Sequence, residues 1–273
     1  MPAQTLTDLQ SSRYLERIGL HSPVNPDAAS LRALQLAHLG MVPFENLDIH
    51  FGEPLSLDPS DLYGKIVERK RGGFCYEVNG LFALLLESVG YQVTRLAARE
   101  VHPDGSLGLD FDHLTLLVQA PGDPTRWLLD VGWGDAFREP LHFDQPGEQV
   151  QGRRAYRIEN QGDYRLLWER KEDDEWKRQY AFRLAPQRLD AFALMCRYHQ
   201  TSPESVFTQK RLCTLATEDG RITLSERRFI VTQNGERRER QVADAQEYCQ
   251  ILAERFGIQL PVAQCERIEN WFS

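Results

Sequence analysis

One cysteine in this chain stands where a sulfur nucleophile would be built. The stretch Arg71-Gly72-Gly73-Phe74-Cys75-Tyr76-Glu77 puts Cys75 after two glycines and before an apolar run, Val78 to Val89, that reads as a helix stopping at Gly90. Cys75 then falls in the first helical turn, where unpaired N–H groups and the positive dipole end favour an anion. A thiol so placed is expected to drop from roughly 8.5 to about 4–7, and the thiolate is the reactive form. The glycines let the backbone bend sharply and approach a ligand without a Cβ in the way. This arrangement points to an enzyme.

A cysteine nucleophile needs a base, and the base needs an orienting partner. His113 opens the apolar run Leu114-Thr115-Leu116-Leu117-Val118, and Trp127-Leu128-Leu129-Asp130-Val131 ends in a carboxylate before Gly132-Trp133-Gly134. If residues 119–124 form a hairpin loop, pairing Val118 with Thr125 also pairs His113 with Asp130. Such partners share a face, with Cβ atoms ~4.5–5.5 Å apart. A one-residue slip would send them to opposite faces, and the loop also permits neighbouring registers. Cys75, His113 and Asp130 thus read as nucleophile, base and orienter. The other cysteines, Cys196, Cys213, Cys249 and Cys265, read as small core residues. The histidines at 21, 38, 50, 102, 142 and 199 lack metal-ligand spacing and read as structural or surface groups, with no metal expected.

These residues need elements to hold them. The first 90 residues read as helical: 7–18 stopping at Gly19, 29–39 stopping at Gly40, 59–69 opened by Pro59-Ser60-Asp61, and then the cysteine helix. From 92 to 184 the pattern becomes six short strands, at 92–99, 113–118, 127–131, 155–159, 164–170 and 176–183, separated by turn signals such as Pro121-Gly122-Asp123-Pro124. Six strands with short connections suggest a barrel or a strongly twisted antiparallel sheet. Residues 188–198 read as a linking helix. Strands at 221–225 and 228–232 follow, then an Asn234-Gly235 hairpin into a further strand. A last helix from Asp244 to Phe256 stops at Gly257. Arg237-Arg238-Glu239-Arg240 reads as a solvated, mixed-charge strand.

Composition sets the class. A length of 273 residues leaves room for a large core, and 41% hydrophobic with 26% charged residues is ordinary for a globular protein. A net charge of −8 gives nucleic-acid binding no support. No apolar run approaches the ~20 residues of a membrane span, and no secretory signal is visible at the start. Five scattered cysteines without Cys-x-x-Cys spacing argue for a reducing compartment, so a cytoplasmic enzyme is expected.

Taken together, the motifs resemble those of the arylamine N-acetyltransferases. The resemblance spans nearly the whole chain: Val42-Pro43-Phe44-Glu45-Asn46-Leu47-Asp48, Arg71 to Glu77, His113 to Val118, Leu129 to Gly134, and Thr201-Ser202-Pro203-Glu204-Ser205-Val206-Phe207. It implies an α+β fold with an N-terminal helical bundle (1–90), a central antiparallel β-barrel (91–184), an interdomain helix (185–204) and a C-terminal α/β lid (205–273), carrying a papain-like Cys-His-Asp triad. It further implies acetyl-CoA as co-substrate, no permanently bound cofactor, and ping-pong transfer through an acetyl-Cys75 thioester. The acceptors would be arylamines, arylhydroxylamines and hydrazines, with O-acetylation as a further outcome. Phe44 would line the acceptor pocket and Phe207 would adjoin it. Trp133 stands where the family commonly has Phe, so the pocket should be narrower. The competing readings are an amide synthase of the same fold acting on a carrier-bound acyl chain, a thiol hydrolase or transglutaminase-like enzyme, and a degenerate coenzyme A binder. Oligomeric state is not legible.

Overall fold

Thr7 opens the first helix, α1 (Asp8–Arg17), with reciprocal capping bonds to Gln10. The structure, a computed structural model, describes residues 5–135, 137–172 and 174–272. Helix α2 (Ala28–Met41) runs through Gly40, where a stop was expected. Its end is set instead by Pro43, which drives the preceding Val42 into extended backbone (φ −112°, ψ 109°). Arg17 then ties α1 to its neighbours by donating to the carbonyls of Met41, Ile66 and Lys70.

A two-residue strand, β1 (Phe44–Glu45), and a short helix, α3 (Leu47–Phe51), follow; neither is long enough to leave a periodic signal. The expected third helix is α4 (Pro59–Tyr63), capped by Asp58 and continued by a π-helical turn over Gly64–Glu68. Helix α5 (Cys75–Ser88) starts at the cysteine, and Gly90 behind it takes a φ of +104°. Every residue of α5 from Cys75 to Leu86 is buried, so it forms the axis of the N-terminal core.

Eight antiparallel strands come next: β2 (Gln92–Glu100), β3 (His113–Gln119), β4 (Arg126–Leu129), β5 (Leu141–His142), β6 (Gln149–Gln151), β7 (Arg154–Gln161), β8 (Tyr164–Lys171) and β9 (Lys177–Gln187). Their order, β5-β4-β3-β2-β9-β8-β7-β6, makes a nearly closed barrel whose edges are the two short strands that alternation does not reveal. Side-chain amides close the seam. Gln149 donates to the His142 carbonyl (2.9 Å) and accepts from its N–H (2.7 Å). Gln151 donates to the Glu139 carbonyl (2.7 Å) and accepts from the N–H groups of Arg138 and Glu139. Each amide stands in for a peptide of the missing ladder.

A 3₁₀ turn (Leu189–Phe192) leads into α6 (Ala193–Thr201) and α7 (Val206–Gln209). The last segment has β10 (Leu212–Thr217), β11 (Gly220–Ser225), β12 (Arg228–Gln233) and β13 (Glu236–Gln241), then α8 (Ala245–Phe256) and α9 (Val262–Ile268). Sequence periodicity overlooks β10, α7 and α9. The Asn234-Gly235 turn is as expected, with both residues at positive φ. β13 is the exposed, charge-paired edge that its Arg/Glu alternation indicates. The sheet order β1-β10-β11-β12-β13 brings Phe44 and Glu45 from the N-terminal region onto β10, so this sheet grips the segment that precedes the cysteine loop.

The Gln149/Gln151 seam can be tested directly. Replacing both by Ala is expected to remove about 2–4 kcal/mol of stability, because paired backbone groups lose partners. In thermal unfolding this should read as a drop in Tm of roughly 5–15 °C. An unchanged Tm would show that other contacts close the barrel.

Candidate active site

The cysteine loop rests on buried charge. Arg71 Nε donates to Glu45 Oε1 (3.0 Å), and its Nη2 forms ion pairs with Glu45 Oε1 and Asp48 Oδ1, both at 2.8 Å. Lys65 Nζ bridges Asp48 Oδ2 and Glu77 Oε1, both at 2.8 Å. Glu45 and Glu77 each spend their second oxygen on a backbone N–H, of Leu47 (2.8 Å) and Phe74 (3.1 Å) respectively. Burial pushes the Glu77 carboxyl up to about 7 despite Lys65. Asp48 is held below the usual carboxylate range by Lys65 and Arg71, against the opposing effect of burial.

The glycines of the loop serve this packing rather than close approach by a ligand. A Cβ on Gly72 would lie 1.9 Å from the Pro43 carbonyl oxygen, and one on Gly73 would lie 2.7 Å from Glu77. Gly73 also forms a parallel bridge to Phe44. The segment 43–45 can therefore lie against the cysteine loop only because Gly72 has no side chain, and Glu77 can fold back over the loop only because Gly73 has none.

His113 and Asp130 meet, but in a different register. The ladder pairs Leu116 with Leu129, Val118 with Trp127 and Gln119 with Arg126, two residues away from the expected alignment. The turn sets this shift. Pro124 has no N–H to offer, and the N–H of Thr125 is taken by the Asp123 carboxylate (2.8 Å), so the first residue free to pair is Arg126. A shift of two preserves the face, and His113 Nε2 reaches Asp130 Oδ2 at 2.6 Å from beyond the end of the ladder.

The carboxylate is held rigidly. Asp130 is fully buried, and its Oδ1 accepts from Asn79 Nδ2 and from the Gly132 N–H, both at 2.9 Å. Asn79 also donates to the Leu114 carbonyl (2.6 Å) and accepts from the Val131 N–H (2.9 Å), so one amide locks α5, β3 and the 130–132 turn together. Gly132 completes the contact, because a Cβ there would lie 2.7 Å from the Cys75 Cα. An Nε2–H donated to the Asp130 carboxylate leaves the His113 Nδ1 lone pair facing away from that carboxylate. Asn79, one turn along the helix from Cys75, carried a signal that sequence reading passed over: a polar residue inside an otherwise apolar helix.

Cys75 does not gain a low pKa from its helix alone, contrary to expectation. Burial pushes the thiol well up, and the Asp112 and Asp130 carboxylates push the same way, against a hydrogen bond from the Leu114 N–H. The positive helix start is already answered by Glu77 on the Phe74 N–H. A thiolate here needs a proton acceptor and a countercharge beside it. The Leu114 contact sets the sulfur against the backbone adjoining His113.

His199, read as structural or surface, is buried. Its Nδ1 lies 3.0 Å from Ser205 Oγ and its Nε2 lies 3.2 Å from Asp112 Oδ1, so a second imidazole–carboxylate pair flanks the cysteine. Phe207 packs on His199 (5.1 Å), Phe74 (5.5 Å) and Phe44 (6.1 Å). Trp133 lies elsewhere, edge-on to His113 (4.9 Å) and Tyr180 (5.0 Å), with its indole N–H on Gln179. The expected pocket residues thus fall in two groups, Phe44 with Phe207 and Trp133 with His113. A cleft of about 1680 Å³, bordered by Arg17, Lys70, Arg255 and Phe256, reaches Asp48 and Arg71 but not Cys75, His113 or Asp130. No helix among the described residues is long and apolar enough to cross a membrane.

Known proteins resemble this chain in sequence and in fold. A family model described as N-acetyltransferase matches residues 27–265. The arylamine N-acetyltransferase of Mycolicibacterium smegmatis is 34% identical over 252 residues, covering 90% of this chain and 91% of the relative. Arylamine N-acetyltransferase 1 of Homo sapiens is 30% identical over 271 residues, covering 90% and 93%. Among solved structures, the M. smegmatis arylamine N-acetyl transferase superposes with a TM-score of 0.89 at 32% identity, covering 97% of this chain and 98% of that one. The Mycobacterium marinum arylamine N-acetyltransferase in complex with CoA superposes with a TM-score of 0.86 at 32% identity, covering 95% and 97%.

The buried charges carry a pH signature. Because folding raises the Glu77 pKa to about 7, the native state binds that proton more tightly than the unfolded chain. Its stabilising effect is full below the ordinary carboxylate range and is lost as pH rises toward about 7. The Tm of the wild type relative to Glu77→Gln should therefore fall between pH 5 and 7. A difference that does not change with pH would show that Glu77 is ionised throughout.

Proposed function

The chain belongs to the arylamine N-acetyltransferase family, and from that premise we propose how its site works. It is an acyltransferase with acetyl-CoA as co-substrate, and it acetylates arylamines. On our reading the reaction is ping-pong, with Cys75 as acetyl carrier, His113 as proton relay and Asp130 as its orienter. Arylhydroxylamines and hydrazines are further acceptors. The observation that carries this reading is the 2.6 Å His113–Asp130 contact, beside a sulfur seated on the Leu114 N–H.

In the first half-reaction the Cys75 S–H proton passes to His113, and the sulfur attacks the acetyl carbonyl of acetyl-CoA. The C–S bond to coenzyme A breaks, and the departing thiolate takes the proton back from His113. In the second, the acceptor nitrogen attacks the Cys75 thioester, its N–H proton leaves through His113, and the thiol is restored. Since burial and Asp112 disfavour an isolated thiolate, deprotonation is coupled to formation of an imidazolium that Asp130 steadies. The five free cysteines suit a reducing compartment, the cytoplasm on this reading. The helical, barrel and lid segments would act as three parts closing on one site.

Intact-mass analysis after mixing with acetyl-CoA is expected to show one acetyl group on the protein, absent in Cys75→Ser and discharged by added arylamine. A wild-type protein that takes up no acetyl group would overturn the reading. Discharge by water alone would favour a hydrolase, and transfer only from a carrier-bound acyl chain would favour an amide synthase.

Trp133 should set acceptor width, since its indole occupies space against His113. Trp133→Phe is expected to raise kcat/KM for fused-ring amines about 10-fold relative to single-ring amines, the scale of a small volume change in an apolar pocket. An unchanged ratio of the two kcat/KM values would place the acceptor away from Trp133.

A further inference from the structure

Two residues after Trp133, the Asp135 carboxylate is the meeting point of cations from two sheets. Arg154 of β7 donates to both its oxygens from Nη2 (3.0 and 2.9 Å) and to its carbonyl from Nη1 (3.0 Å). Arg221 of β11 donates from Nε (3.1 Å), and Lys171 of β8 reaches to 3.5 Å. Arg138 adjoins them, with its Nη1 on the Glu218 carbonyl and its Nε buried without a hydrogen-bond partner. Asp135 and Glu169 answer Arg154, Lys171 and Arg221, while Arg138 faces Glu139, which is itself paired with Arg32, so cations outnumber carboxylates at the seam between barrel and C-terminal sheet. Burial, together with Arg154 and Arg138, holds Arg221 below its ordinary guanidinium value even with Asp135 against it.

The segment that delivers Asp135 also covers the chemistry. Gly132 is seated on Cys75 and Trp133 lies on His113. Gly134 then turns the chain at a φ of +66° with open space around its Cβ position, so the segment has a joint between the indole and the carboxylate. A carboxylate presents two oxygens and one charge to this cluster. A phosphate presents three oxygens and up to two charges, and guanidinium forks match it well. Any such group that enters must compete with Asp135 for the same donors.

We propose that Arg138, Arg154, Lys171 and Arg221 form a site for a phosphate-bearing group, which Asp135 occupies as an internal stand-in. Binding there frees residues 132–135 and draws Trp133 off His113. The proposal rests on the acetyl-transfer reading only for the identity of the ligand, the phosphate-bearing end of acetyl-CoA; free phosphate or pyrophosphate carries the same chemistry. The device would make opening of the space over His113 depend on arrival of the phosphorylated donor.

Two readouts test it: acylation of Cys75 by acetyl-CoA against a phosphate-free acetyl thioester such as acetylpantetheine, and hydrogen exchange of residues 132–135. The phosphate-free thioester should acylate the wild type at least 10-fold more slowly. Asp135→Asn, a partly exposed position, should speed the phosphate-free donor several-fold more than it speeds acetyl-CoA. Arg138→Gln should narrow the gap between donors. An Asp135→Asn effect equal for both donors would sink the proposal. Exchange separates the sources: faster exchange with pyrophosphate shows that free phosphate suffices, whereas faster exchange with coenzyme A alone assigns the site to the co-substrate. If neither ligand alters exchange, the proposal falls. A failure of both donors to acylate Cys75 would instead count against the acetyl-transfer reading, and the exchange arm still decides the phosphate site.

Discussion

The buried ionic chain Glu45–Arg71–Asp48–Lys65–Glu77 is the constraint on which the rest of this structure depends. Charges taken out of water require close partners, and loss of any one leaves another uncompensated. The five groups come from four segments: the strand before α3, α3 itself, the π-helical turn and the cysteine loop running into α5. Satisfying them fixes those segments relative to one another. With three carboxylates and two cations, the excess is absorbed by backbone N–H donors and by the raised pKa of Glu77. The position of Cys75 at the first residue of α5 follows from this geometry, because Glu77 caps the turn on which the cysteine sits.

A second constraint joins that platform to the barrel. Asn79 reads out α5 on one side and Asp130 on the other, while Gly132 allows the 130–132 turn to lie on Cys75. The base and its orienter therefore come from the barrel but are indexed to the helix that carries the nucleophile. Beyond this turn the chain passes under Trp133 to Asp135, whose cations belong to the barrel and to the C-terminal sheet. One short segment thus touches the nucleophile, the base and the interface between two sheets.

Legibility in the sequence followed element length and locality. Helices α1, α5 and α8, the six longer barrel strands and the Asn234-Gly235 hairpin carry caps, periodicity or turn residues within a few positions of one another. Strands β1, β5 and β6 are two or three residues long, so alternation has nothing to repeat. Gly40 misled because a glycine signals a helix end only where backbone of positive φ is needed; Pro43 had already set the boundary. The hairpin register missed by two because Pro124 and the Asp123 turn moved the first pairing residue, yet the pleat's period of two kept His113 and Asp130 on one face.

The sequence by itself determined the residue types of the site, the helix start at Cys75 and the face shared by His113 and Asp130, because these depend on local spacing and on the pleat. Tertiary structure alone decided the electrostatics. Cys75 sits in burial beside Asp112, which no local pattern discloses, and its thiol is pushed up rather than down. His199 became a buried partner of Asp112, and Arg221 joined Asp135 across 86 residues. Desolvation and long-range charge pairing depend on what the folded chain places nearby, and that proximity is absent from sequence order.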